Sequence, residues 1–287
     1  MIGLGDREIS LRAAARVARR WYRRMTVGVV NPFDSSAAAH RYAEARPDYH
    51  AEVFQHVAAF LGDRAPVERA LDVGCGTGQS TRAIARVARR VVGLDTSAFM
   101  IREARARIDH PLVVAKAEAL PVEEETVDLV VASAAFHWFD QPRFLDEARR
   151  VARPGAWLVV YDNGFSGAVE GVEGFRRWHR QTYLDLFPPL PRHAAFSPRL
   201  AARAGFTVRC EKSYVNVIDM DAEALVRFLV TQSNVIAAVE AGRGSADEIA
   251  ASLRAEVEPY FRAGGHPVAR RCVFGGPLWI AARDDFA

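Results

Sequence analysis

Ala70-Leu71-Asp72-Val73-Gly74-Cys75-Gly76-Thr77-Gly78-Gln79-Ser80-Thr81 is the stretch from which the rest of the chain can be read. An apolar run enters three alternating glycines and continues into the helix-like Thr81-Arg82-Ala83-Ile84-Ala85, the pattern of a strand, a tight turn and a helix start. Glycine reaches backbone angles that side chains resist and lets a ligand lie against bare main chain. A small molecule is therefore expected across this turn, at the carboxyl end of a parallel strand. The dinucleotide pattern G-x-G-x-x-G needs a third glycine where Gln79 stands, so that pattern fails. Asp72, two residues ahead of the first glycine, would repel a pyrophosphate and attract an ammonium group.

Seventeen residues after Gly78 a second apolar run, Val91-Val92-Gly93-Leu94, ends in Asp95. An acid at the tip of a second strand, about twenty residues past the glycines, is placed to accept both ribose hydroxyl protons of an adenosine ligand. An ammonium group joined to an adenosyl ribose describes S-adenosylmethionine, which also carries a sulfonium. Through Leu71-Asp72-Val73-Gly74-Cys75-Gly76-Thr77-Gly78 and Val92-Gly93-Leu94-Asp95-Thr96-Ser97 the sequence resembles the class I S-adenosylmethionine-dependent methyltransferases. The resemblance implies an α/β fold: a doubly wound, seven-stranded, mostly parallel Rossmann-like sheet with an antiparallel C-terminal edge strand and a helical lid. It implies S-adenosyl-L-methionine as cofactor, with contacts from Asp72, Gly74, Cys75, Gly76, Gly78, Asp95, Thr96 and Met100. Ala115-Lys116-Ala117-Glu118-Ala119-Leu120-Pro121 is similar to the family segment that recognises adenine, which adds Ala117 and Glu118; Ser133 joins them at the tip of the fourth strand. Lys116 stands where an Asp is frequent in the family, so the adenine amino group falls to Glu118 or to main-chain oxygens.

Two further segments narrow the resemblance. Tyr42-x-x-x-Arg46-Pro47-x-Tyr49 and Ala135-Phe136-His137-Trp138-Phe139-Asp140 look like the trans-aconitate methyltransferase-like group of small-molecule enzymes. In that group the N-terminal segment folds over the cofactor, which implies Arg46 on the methionine carboxylate and Tyr42 over the sulfonium; packing by Tyr42 and a surface charge at Arg46 is the competing reading. The fourth strand, Val127 to Ser133, delivers the second segment to the switch point, where it faces the reactive methyl. His137 is the catalytic candidate, as a base or a substrate orienter, with a structural role as the third option. Phe33, Trp138, Tyr161 and Trp178 are candidates for the substrate pocket, against a plain packing role for the aromatics.

The chain of 287 residues, 50% hydrophobic, suffices for one large core. Seven Arg in residues 1–30 against Asp6 and Glu8 give that segment +5, and the remaining 31 basic and 33 acidic residues come to −2. A basic body that would favour nucleic acid is absent, and residues 1–30 read as a basic extension whose arginine-rich stretch is either an amphipathic helix or a solvated tail. Residues 31–287 read as the methyltransferase domain, with its core near 66–165 and lid helices near 166–195 and 220–264. Cys75, Cys210 and Cys272 have no paired spacing, and the eight His show no ligand pattern, so neither a disulfide framework nor a metal site is expected. No run nears the ~18 apolar residues of a membrane span, and no secretory signal stands at the N-terminus, making a soluble cytoplasmic protein the expectation. The reaction expected is methyl transfer to a small-molecule acceptor, a carboxylate or hydroxyl oxygen; the alternative is a catalytically silent S-adenosylmethionine-binding sensor or scaffold. Oligomeric state is not legible.

Periodicity predicts helices over 50–61, 81–89, 97–108, 141–152, 172–186 and 221–263. Strands are predicted over 91–95, 112–114, 127–133, 156–161, 206–217 and 268–282, besides the glycine strand.

Overall fold

The computed structural model describes residues 32–284, and the basic extension lies outside the described residues. In chain order come α1 (Ser36–Ala45), α2 (His50–Leu61), β1 (Val67–Val73), α3 (Gln79–Ile84), β2 (Ala88–Asp95), α4 (Ala98–Arg105), β3 (Leu112–Val114) and β4 (Val127–Ser133). After a 3-10 turn (Phe136–Trp138) follow α5 (Gln141–Val151), β5 (Ala152–Tyr161) and β6 (Gly164–Val169). Next are α6 (Phe175–Trp178), a π turn (His179–Tyr183), α7 (Leu184–Leu186), α8 (Pro198–Arg203) and β7 (Phe206–Met220). The chain closes with α9 (Ala222–Leu229), α10 (Ser233–Glu240), α11 (Ala246–Val257), β8 (Arg262–Ala263), β9 (His266–Pro267) and β10 (Arg270–Arg283).

Eight strands form the main sheet in the order β3-β2-β1-β4-β5-β10-β6, with β7 also paired to β10. β1 runs parallel to β2 and β4, β2 to β3, and β4 to β5, while β10 is antiparallel to β5. The order reverses between β1 and β4, which opens the crevice at their carboxyl ends.

Every residue of β4 is buried, and its side chains alternate between two cores. Val130 and Ala132 pack with Phe144, Leu145 and Leu158, whereas Leu129 and Val131 pack with Val53, Phe54, Ile84 and Val159. Helices on both faces make the sheet doubly wound, and a strand buried on both faces is mostly apolar; Asp128 is the buried charged exception, its Oδ2 accepting from Arg69 N at 2.7 Å. Helix starts obey local chemistry: the hydroxyls of Ser35 and Ser97 and the carboxylate of Asp140 accept N–H groups of the first turns they cap.

Several boundaries differ from expectation. The helix predicted over 81–89 ends at Ile84, because β2 starts at Ala88, opposite Val67 of β1. The fifth strand starts at Ala152, paired with Val127 through a register shift in β4. The 172–186 helix begins at Phe175 and passes through the π turn, and the 221–263 helix is three helices, a 3-10 turn and half of a two-stranded ribbon. β6 brings the main sheet to eight strands rather than seven.

The described chain divides into two compact units. The larger comprises Phe33–Ser166, Arg192–Ile218 and the residues from Val273 onward; the smaller is built from Gly167–Pro191 and Asp219–Cys272 and contains the helices expected as a lid. In the smaller unit Phe175 is fully buried, with Tyr260 edge-on at 5.3 Å between ring centroids and Trp178 tilted at 5.1 Å. Among the described residues no single helix is long and apolar enough to cross a membrane.

Candidate active site

The glycine loop leaves β1 with Gly74, Gly76 and Gly78 all at positive φ, +76°, +54° and +87°. A Cβ added at Gly74 would stand 2.5 Å from the Cβ of Ala135, and one at Gly78 would stand 2.5 Å from Cδ1 of Ile108. The loop is thus pressed on one side against the exit of β4 and on the other against the end of α4. At Gly76 nothing lies within 4 Å of the added atom, so the bare main chain has an open face there. The exit of β4 is itself strained: Ala134 sits at φ +48°, a region that disfavours any residue with a Cβ by about 1–2 kcal/mol, and its N–H donates to Tyr161 O at 2.8 Å.

Two carboxylates define the polar character of the loop. Asp95, half-buried at the tip of β2, accepts from Gly76 N at 2.9 Å on Oδ2 and from Ser97 N at 2.8 Å on Oδ1. A carboxylate offers about four lone-pair positions, so two remain. Burial raises its pKa, and the N–H groups of Ser97, Gly76 and Thr96 only partly offset this. Asp72 is wholly buried; its Oδ2 accepts from Ser80 Oγ at 2.6 Å and from Thr81 Oγ1 at 2.7 Å, while its Oδ1 is buried without a hydrogen-bond partner among the described residues. Burial pushes its pKa up to about 6 against the pull of the two hydroxyls, with Asp95 adding to the rise. Burial also lifts the Cys75 thiol well above its ordinary value, so it stays protonated. Thr96 is exposed, and Met100 is buried in the first turn of α4, its N–H capped by Ser97 Oγ at 3.3 Å.

Gln79, the residue that breaks the dinucleotide pattern, donates from Nε2 to Arg46 O at 2.9 Å. It thereby fastens the N-terminal segment to the start of α3, a role that spacing alone does not announce. The Arg46 guanidinium lies over the Tyr42 ring, 4.6 Å from its centroid, and Phe33 meets Tyr42 edge-on at 5.5 Å. Ser97 Oγ donates to Phe33 O at 3.0 Å, which ties this segment to the tip of β2 as well. Of the two residues expected at the adenine, Ala117 is buried, while Glu118 Oε1 accepts from Asp140 N at 2.8 Å and so braces the start of α5.

Beyond β4, His137 sits in the 3-10 turn with its ring 5.0 Å from that of Trp138 and Nδ1 3.6 Å from Oδ2 of Asp162. Asp162 follows the last residue of β5. Its N–H donates to Pro277 O at 3.1 Å, its carbonyl accepts from Tyr214 Oη at 2.7 Å, and its Oδ1 accepts from Asn163 N at 3.1 Å. Burial acts to raise Asp162, but His137 and the Arg192 charge outweigh it and hold the carboxyl below its usual range. Asp162 was absent from the sequence-derived set, although an acid at the tip of a parallel strand is the signal that exposed Asp72 and Asp95.

The remaining candidates have other neighbours. Ser133 Oγ lies 3.4 Å from Nδ1 of His50, which itself lies 2.6 Å from Tyr161 Oη. Tyr161 is 1% exposed and engaged in this internal cluster, so it is a packed strand residue rather than an open wall. Burial drives the His50 imidazole down to about 4, helped by Arg82 and Arg46 and opposed by Asp48. Trp178 belongs to the smaller unit, buried against Phe175 and Tyr183. Among the described residues no three His, Cys, Asp or Glu are grouped to hold a metal ion.

A family model described as a methyltransferase domain matches residues 71–160, the span from β1 through β5. An uncharacterized methyltransferase of Mycobacterium bovis is 32% identical over 171 residues, covering 56% of this chain and 68% of that protein. The chain belongs to the class I S-adenosylmethionine-dependent methyltransferases. S-adenosylmethionine is the cofactor of that family. The methyltransferase is also similar to a solved structure from Anaeromyxobacter dehalogenans assigned as a type II methyltransferase, with a TM-score of 0.57, 29% identity, and coverage of 84% of this chain and 98% of that one. A malonyl-[acyl-carrier protein] O-methyltransferase of Xylella fastidiosa is 31% identical over 167 residues, 55% of this chain and 56% of that protein. The chain spans about half the length of several of the curated relatives it matches.

Proposed function

We propose that this methyltransferase passes the methyl group of S-adenosylmethionine to an oxygen of a small-molecule acceptor, a carboxylate or a hydroxyl. One observation carries the reading: Gly74 and Ala135 approach too closely for a Cβ between them, which brings the turn bearing His137 beside the glycine loop, with Asp162 at its back.

The residues present suit the cofactor. Asp72 has a buried oxygen without a partner, as a site for an ammonium group requires, and two lone-pair positions of Asp95 remain for ribose hydroxyls. The open face at Gly76 admits a flat group against main chain, Arg46 is the candidate for the methionine carboxylate, and Tyr42 with Phe33 forms an aromatic wall nearby. When bound, the donor supplies an electrophilic methyl group with a good leaving group. The work left to the chain is alignment, which can provide much of the acceleration of an in-line displacement. His137 either orients an acceptor carboxylate or takes the proton of an acceptor hydroxyl, and Asp162 fixes its ring for both tasks.

Two further points support oxygen as the acceptor atom: the O-methyltransferase from Xylella fastidiosa among the relatives, and the likeness of residues 42–49 and 135–140 to the trans-aconitate methyltransferase-like group. The test is release of S-adenosylhomocysteine against a library of small acids, alcohols and phenols, with a mass gain of one methylene in the product. Absence of any heat or thermal shift with S-adenosylmethionine or S-adenosylhomocysteine overturns the reading at its root.

A further inference from the structure

Residues 192–197 have no regular secondary structure until the cap of α8, yet they are fastened at three points. His193 N donates to His137 O at 3.2 Å, and Gln141 Nε2 donates to Ala194 O at 2.6 Å. Phe196, 3% exposed, packs edge-on against Phe136 at 5.4 Å between ring centroids. The first residue of this strap, Arg192, is therefore placed rather than free-swinging, and its guanidinium carbon lies 5.5 Å from the centroid of the Trp138 ring.

Among the described residues that guanidinium makes no hydrogen bond and no salt bridge; its contacts are the ring face and through-space charge. Partial burial, with Arg46 as a second cation nearby, works against its charge, and Asp162 works in favour. Five N–H donors in a planar fork thus stand uncommitted on an aromatic platform, one residue from the strand of chain that grips His137. An exposed arginine whose guanidinium is held over a Trp face with no hydrogen-bond partner among the described residues can turn its fork to an incoming anion.

We infer that Arg192 recognises a carboxylate of the methyl acceptor, so that the substrate is a small organic acid. The inference rests on the methyl-transfer reading above and names its substrate class. A guanidinium fork also matches a phosphate, but the negative Asp162 nearby repels a dianion more strongly than a singly charged carboxylate.

The experiment is calorimetric titration of S-adenosylhomocysteine-saturated protein with monomethyl malonate, monomethyl glutarate, benzoate and 4-hydroxybenzoate, with their neutral methyl esters, and with glycerol phosphate. Expected is saturable binding of at least one acid, at least tenfold weaker binding of its neutral ester, a loss of tenfold or more in Arg192→Ala, and partial recovery in Arg192→Lys. S-adenosylhomocysteine affinity should stay within about twofold in both variants, which shows that each is folded. Equal binding of acid and ester, acid binding untouched by Arg192→Ala, binding of the phosphate alone, or no binding of any acid overturns the inference while leaving methyl transfer intact. Failure of the wild-type protein to bind S-adenosylhomocysteine defeats the methyl-transfer reading instead.

Discussion

Replacing Asp72 with Asn separates what a buried carboxylate costs the fold from what it gives the ligand. In the unliganded protein Asp72 titrates at about 6 against an ordinary 3.8, because burial disfavours its charge. An acid raised in this way contributes stability that is present below pH 3.8 and lost as the pH rises through 6. At pH 8 the full cost applies, and a rise of about two pH units corresponds to about 3 kcal/mol. Asn has the same shape, and its carbonyl oxygen still accepts from Ser80 and Thr81, but its amide N–H groups take the place of the unpartnered Oδ1 at a cost of about 1–3 kcal/mol, so the variant should gain at most about 2 kcal/mol, or roughly 3 °C in Tm for a chain of this size. The ligand should respond in the opposite direction. S-adenosylhomocysteine, with an ammonium group to pair, should bind at least tenfold more weakly to Asp72→Asn at pH 8. Wild-type affinity should fall as the pH drops below about 6, and in the variant that dependence should disappear. Thermal melts at pH 8 without ligand and calorimetry from pH 5 to 8 measure both arms. A variant that binds the ligand as well as the parent at pH 8, or that keeps the parent's loss of affinity below pH 6, refutes the assignment of Asp72 as a charge kept for the cofactor.

The other expectations concern the same strand tips. Asp95→Ala should weaken S-adenosylhomocysteine binding about 100-fold or more, because two charge-assisted hydrogen bonds to the ligand are worth about 1.5–3 kcal/mol each; calorimetry reads it. His137→Ala should lower turnover by about 100-fold or more with cofactor affinity within about twofold, and equal losses in both quantities would remove it from the acceptor side. Gly74→Ala forces a Cβ at φ +76° to within 2.5 Å of Ala135, so denaturant unfolding should show a loss of at least about 2 kcal/mol. His50, depressed to about 4 from 6.5, contributes stability that is present above pH 6.5 and lost as the pH falls toward 4, opposite in slope to Asp72. His179, also depressed to about 4 by burial, adds a slope of the same sign. Between pH 4.5 and 6 Asp72→Asn should therefore lose about 1.4 kcal/mol more per pH unit toward acid than the wild type does, because it lacks the opposing titration of Asp72; chemical denaturation of both proteins at fixed pH steps checks it.

The parts of this fold that the sequence made legible are those whose causes are local. A glycine at positive φ, an acid ending an apolar run and a short run dominated by apolar residues each depend on a few adjacent residues, which is why β1 with its loop, Asp95 and β4 could be read directly. Helix ends were less legible, since Ile84 ends α3 only because β2 must begin where β1 needs a partner. The roles of Gln79, Asp162 and Arg192 depend on partners 33, 25 and 54 positions away in the chain, Arg46, His137 and Trp138, and no spacing rule reports such meetings. The same holds in reverse for Tyr161 and Ser133, whose place at strand tips suggested a ligand but whose hydroxyls meet His50.

The anchoring of Asp162 also bears on the order in which the molecule can mature. Its amide is held by Pro277, and a Cβ at Gly276 would come within 2.2 Å of its carbonyl, so β10 must lie flush against this turn. During translation residues 70–100 emerge long before residue 277, so a nascent chain can complete the glycine loop and the tip of β2 while the His137 imidazole still lacks a fixed carboxylate. The pairing of His137 with a fixed carboxylate then waits on β10.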